Sequence, residues 1–148
     1  MNRTRSEALQ ECRFLGGMPF AFSILGLLLA AGRADIAGRL AAALGSCYAL
    51  LFVIRVLCYR ARPEAESYRT ILGKFSAASF PSLHVARAAV QAVVLGMEVR
   101  ASAAWGILAT LVALTGYSRI REGRHTTWDV VSGAGIGSAV AYATTLLP

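Results

Sequence analysis

Between Ser118 and Asp129 the chain reads Ser-Arg-Ile-Arg-Glu-Gly-Arg-His-Thr-Thr-Trp-Asp. This stretch holds an imidazole (His125), a carboxylate one helical turn later (Asp129) and three guanidinium groups (Arg119, Arg121, Arg124). An imidazole can attack phosphorus or move a proton. A carboxylate at that spacing can hold its tautomer, and guanidinium grips oxyanions bidentately. The stretch lies between two long apolar segments, where such groups are costly unless they do chemistry or bind a charged ligand. Two more polar islands share its character, Arg55–Pro63 and Pro81–His84. All three suit convergence on one phosphate. Alone, His125 and Asp129 would read as a capping pair at a helix start, and His84 as an interfacial histidine.

The elements that must position these groups are apolar. The chain has 148 residues, enough for one domain (1–148). Hydrophobic residues make up 56% and the mean hydropathy is +0.55, too apolar for an ordinary soluble domain. The formal net charge of +7 would raise nucleic acid as a partner of a soluble protein. Here the basic residues sit between apolar runs, so membrane topology and anionic headgroups explain them and nucleic acid is not expected. All the basic residues but Lys74 are arginine. Cys12, Cys47 and Cys58 form no ligand pattern, so neither a disulfide nor a metal site is expected. No paired carboxylates are spaced to hold a divalent ion.

Taken in order, the pattern predicts an all-α, polytopic transmembrane bundle. It has about five spanning helices and a short N-terminal interfacial segment, Met1–Arg13. The expected crossings are Phe14–Gly32, Ile36 to about Tyr59, Ser82 to about Glu98, Ala101–Ser118 and Val130–Pro148. Asp35 is expected to cap the second, Arg39 to snorkel, and Pro63 to stop that helix. Glu64–Phe80 reads as a loop with one amphipathic turn, and Pro81 as the first-turn residue of the third crossing. Gly, Ala, Ser and Thr fill the last crossing, which should sit inside the bundle. With alternating crossings, the three polar islands fall on one membrane face. That face is rich in arginine, which favours the cytoplasm. Several of those arginines are assigned to phosphate, however, so both orientations stay open.

Arg55-x6-Arg62-Pro63, then Pro81-Ser82-Leu83-His84, then Ser118-Arg119-x5-His125-x3-Asp129 resembles the three-part signature of the type 2 phosphatidic acid phosphatase superfamily. The match covers about half the chain, with apolar helices around it as in the lipid-phosphatase branch. Arg55 stands where that family usually has lysine, and Leu83 where it usually has glycine. Pro-Ser-Leu-His also resembles phospholipid headgroup transferases of the same superfamily. Related lipid phosphatases often face outward.

The resemblance implies an integral membrane phosphatase of a bacterial-type plasma membrane, acting on a lipid phosphate or polyprenyl diphosphate without metal or cofactor. His125 is the candidate nucleophile, Asp129 its orienting partner, and His84 the acid for the leaving alcohol and then the base for water. Arg55, Arg62 and Arg119 are candidates to clamp phosphate oxygens, with Ser82 and the Leu83 backbone assisting. Arg87 is a candidate headgroup contact, or a partner of Glu98 or of lipid. Arg60, Arg69 and Arg121 read as interfacial anchors and Trp128 as a belt aromatic. The alternatives are a lipid phosphotransferase on the same fold and a non-catalytic membrane scaffold with a degenerate site.

Overall fold

A computed structural model describes residues 16–61, 69–99 and 101–146. They form α1 (Met18–Ala30), α2 (Ala34–Leu57), α3 (Ile71–Ala77), α4 (Leu83–Val99), α5 (Ser102–Arg121) and α6 (Thr127–Thr145). Among the described residues there is no strand, only an isolated bridge between Ala61 and Ala78.

The bundle is arranged around α4. Most of its buried side chains are small, with Val85, Ala86, Ala89, Val90 and Val94 among them. α2 turns one face to the interior, with Leu40, Ala43, Cys47 and Leu51 at helical spacing. α6 approaches α4 most closely, through Gly133 and Gly137. A Cβ on Gly133 would lie 2.5 Å from the Ser82 carbonyl oxygen, and one on Gly137 would collide with the Ala86 carbonyl. Small residues four apart let two backbones touch, the packing expected where the solvent is as apolar as the side chains.

Two helices, α2 and α5, are long and apolar enough to cross a membrane. α6 has the length, but Gly, Ser and Thr dilute its apolar character. α4 carries Arg87 and Gln91. α1 has 13 residues against the roughly 20 of a full crossing, because Gly16 and Gly17 precede it and it starts four residues later than the sequence suggested. Large apolar side chains project outward around the bundle, among them Phe22, Leu27, Leu57, Ile107 and Leu146. Such a surface suits lipid better than water.

Several local expectations are corrected. α2 begins at Ala34 with Arg33 at its cap, and Asp35 lies inside the first turn, paired with Arg33 and Arg39. It ends at Leu57, ahead of Pro63, which lies outside the described residues. The expected loop 64–80 contains a seven-residue helix, α3, begun by Thr70, whose hydroxyl accepts the Gly73 N–H at 3.0 Å. Pro81 stands before α4, after a cis bond from Phe80, and not in its first turn. The N-terminal segment 1–13 lies outside the described residues. Cys47 is a buried free thiol and Cys58 an exposed one.

Candidate active site

The glycine approach of α6 to α4 brings the starts of both helices together. There the Ser82 N–H donates to the Asp129 carbonyl oxygen at 2.9 Å. His84 follows Ser82 by two positions and His125 precedes Asp129 by four, so both histidines belong to one junction of helix ends. His125 is 3% exposed and Asp129 fully buried.

Asp129 is held from several sides. It forms a reciprocal cap with Thr126, whose N–H donates to Asp129 Oδ2 at 2.8 Å while the Asp129 N–H donates to Thr126 Oγ1 at 3.3 Å. Ser79 Oγ donates to the same Oδ2 at 2.6 Å, and Arg60 Nη1 lies 3.4 Å from Oδ1. Burial pushes this carboxyl up, but the hydrogen bonds from Ser79 and Thr126 and the Arg60 charge outweigh it and hold it below the usual carboxylate range. His125 Nδ1 stands 4.0 Å from Oδ2. The expected imidazole–carboxylate hydrogen bond is therefore open, because Oδ2 already accepts two shorter bonds.

The other residues divide into groups that face the junction and groups that brace it. Ser82 is fully buried, and its Oγ has no hydrogen-bond partner among the described residues. A buried hydroxyl in that state is a ready donor to an oxyanion. Leu83 opens α4, half-buried, at an N-terminus whose amides and dipole favour negative charge. Arg55 is 2% exposed and crosses from α2 to the segment before α4. Its Nε donates to the Pro81 carbonyl at 3.0 Å and its Nη1 to that of Phe75 at 2.9 Å, with the guanidinium 5.3 Å from the Phe75 ring centre. It thus positions the Pro81–Ser82 turn directly. Arg119, 5% exposed, donates to Glu122 at 2.5 Å, and its carbonyl accepts the Arg124 N–H at 3.2 Å, ordering the turn that delivers His125. Arg62 lies outside the described residues.

Two side chains take unexpected places. Arg60, expected as an interfacial anchor, reaches Asp129, and its carbonyl accepts the Ser79 N–H at 2.7 Å. Ser79 itself was missed; the sole signal is its place three residues before Ser82. Arg87 turns to the Gly16 carbonyl and Tyr48, while Glu98 pairs with Arg39 at 2.7 Å and with Arg33 at 3.5 Å. Of the alternatives open for Arg87, the pair with Glu98 is thus not formed. Arg69 and Arg121 are exposed, and Trp128 projects outward. No three His, Cys, Asp or Glu side chains among the described residues group closely enough to hold a metal ion.

A cavity of about 400 Å³ runs between α4, α5 and α6, lined by Val85, Ala89, Trp105, Val112, Val130 and Ala134. Val85 adjoins His84, and Val130 adjoins Asp129. The groove is thus lined by residues one position along the chain from two of the site's groups.

A family model described as the PAP2 superfamily matches residues 36–148. The chain belongs to the PAP2 superfamily. Its fold is shared with two solved structures. One is Aquifex aeolicus LpxE, at 24% identity and a TM-score of 0.83, covering 99% of this chain and 88% of that one. The other is the first transmembrane PAP2 type phosphatidylglycerolphosphate phosphatase from Bacillus subtilis, at 20% identity and a TM-score of 0.77, covering 98% and 77%. No curated protein sequence matches the chain. The PAP2 match takes in all three polar islands, including Arg55, the Ser82–His84 turn and the His125–Asp129 cap.

Proposed function

We infer that this PAP2 protein is an integral membrane lipid phosphatase, one domain whose helices cross the bilayer about five times. It hydrolyses a lipid phosphate or diphosphate without metal, through phosphohistidine. The observation that carries the reading is the α4–α6 junction, where the Ser82 N–H meets the Asp129 carbonyl and the buried His125 stands 4.0 Å from the Asp129 carboxylate.

His125 Nδ1 is the nitrogen on the Asp129 side, so Nε2 attacks phosphorus. The N–P bond forms as the bond from phosphorus to the alkoxy oxygen breaks. His84 gives the departing oxygen its proton. Asp129, kept ionised by Ser79, Thr126 and Arg60, steadies the positive charge that grows on the imidazole, closing the 4.0 Å gap as it does so. Ser82 Oγ donates to a phosphoryl oxygen, and the α4 and α6 N-termini and the arginines offset its charge. In the second half His84 takes a proton from water, the oxygen attacks phosphorus, and phosphate leaves His125. The lipid tail lies in the groove between α4, α5 and α6.

Purified protein in detergent, offered phosphatidate, phosphatidylglycerol phosphate and a polyprenyl diphosphate, should release phosphate from at least one. His125→Ala should stop that release. Undiminished release by the variant would overturn the mechanism. Leu83, at the position of the family's glycine, supports a second reading in which an alcohol replaces water. Its product would be a new phosphodiester and not free phosphate.

A further inference from the structure

The phosphatase chemistry does not use Arg87. Its side chain is 4% exposed in the middle of the bundle, and no carboxylate among the described residues pairs with it. Nη1 donates to the Gly16 carbonyl at 2.5 Å and Nη2 to the Tyr48 hydroxyl, and the guanidinium lies 5.3 Å from the Tyr48 ring centre. Nε is buried without a hydrogen-bond partner among the described residues. Neutral oxygens leave a full positive charge among apolar side chains, a costly state that a bound anion relieves.

Arg87 is also among the residues around a cavity of about 300 Å³ between α1 and α2, whose wall is mostly apolar, with Met18, Phe22, Leu25, Ala41 and Leu44. The cavity has a direction. Met18 at the start of α1, Tyr48 in the later half of α2 and Arg87 one turn past His84 lie toward the end of the bundle that holds the site. Leu25 and Ala41 lie farther from that end. Charge therefore sits near the site face and the apolar wall runs inward, as in a lipid of that leaflet.

Taking the bundle to lie in a membrane, as the phosphatase reading requires, we propose that this groove is a second, non-catalytic lipid site. It takes an anionic phospholipid, with the phosphodiester on Arg87 and an acyl chain between α1 and α2. A phosphodiester accepts the Nε proton and an Nη proton as a fork, the geometry guanidinium favours. Met18, whose Sδ accepts the Tyr48 hydroxyl at 3.0 Å, is the flexible cover that moves to admit it. Arg87 bonds toward α1 and α2, whereas Ser82 and Asp129 join α4 to α6, so the two lipids occupy opposite sides of α4.

Native mass spectrometry of the full chain in neutral detergent tests this, with phosphatidylglycerol or phosphatidylcholine added. Phosphatidylglycerol is a diester, so its binding is read apart from hydrolysis of a monoester. One phosphatidylglycerol should be retained in preference to phosphatidylcholine. A Cβ on Gly45, in the groove wall, meets no atom within 4 Å, so Gly45→Leu fills the groove without disturbing the backbone. Gly45→Leu and Arg87→Gln should each weaken retention by about tenfold or more. If Arg87→Gln fails to fold, Gly45→Leu decides. Equal retention of the two lipids, or unchanged retention by Gly45→Leu, would sink the proposal. Phosphate release, measured on the same samples, judges the phosphatase reading separately.

Discussion

Asp129 is the residue on which most of the site's side-chain bonds meet, and Ser79 gives it the shortest, 2.6 Å. A hydrogen bond to a buried carboxylate is worth about 1.5–3 kcal/mol, and its loss leaves a lone pair unsatisfied. Ser79→Ala should therefore lower kcat/KM by about ten- to a hundredfold, measured as phosphate release at subsaturating substrate. Ser79→Thr, which keeps the hydroxyl, should recover part of it. Arg60 is half exposed, so Arg60→Ala should cost only a few-fold. A rate equal to wild type in Ser79→Ala would remove that serine from the mechanism. His84, His125 and Asp129 were singled out by the three-part motif resemblance, since types and spacing alone read His125 and Asp129 as a capping pair and His84 as an interfacial histidine. Ser79 and Arg60 were not, since each meets Asp129 across 50 or more positions and no local pattern records such a contact.

Helix existence was legible from apolar run length, and helix ends less so, since they turn on caps and close approaches. α3 shows the difference: Thr70 begins a helix inside what composition reads as loop. The pairing of α4 with α6 rests on Gly133 and Gly137, whose place in the last helix the sequence did show. A methyl on Gly133 would stand 2.5 Å from the Ser82 carbonyl. Gly133→Ala should thus destabilise the protein by about 1–3 kcal/mol, the usual cost of overfilling a tight contact, and should separate Ser82 from Asp129. A lowered melting temperature together with lost phosphate release is the expected result. Gly135→Ala is the control, because a Cβ there meets nothing within 4 Å. Equal behaviour of the two variants would show that the close approach is not needed.

For the whole molecule, on the proposed reading, the lateral groove ties substrate choice to lipid contact. Ala134→Phe narrows the groove lined by Val85, Trp105 and Val130. It should raise KM for a long-chain lipid phosphate by about tenfold, as expected for lost apolar contact, and leave a short-chain phosphate monoester unaffected. A chelator should leave phosphate release unchanged, since arginines and helix N-termini supply the positive charge in the proposed chemistry. Loss of activity restored by a divalent ion would overturn that. The placement of helices in a bilayer followed from composition, but which of them are full crossings did not, because α1, α4 and α6 trade apolar length for packing or charge. The main-chain link from Ser82 to the Asp129 carbonyl ties the two halves of the site with atoms that every amino acid but proline possesses. On the proposed reading, side chains lining either groove can therefore drift, and the range of lipids accepted can change with them, while Ser82 and Asp129 stay joined.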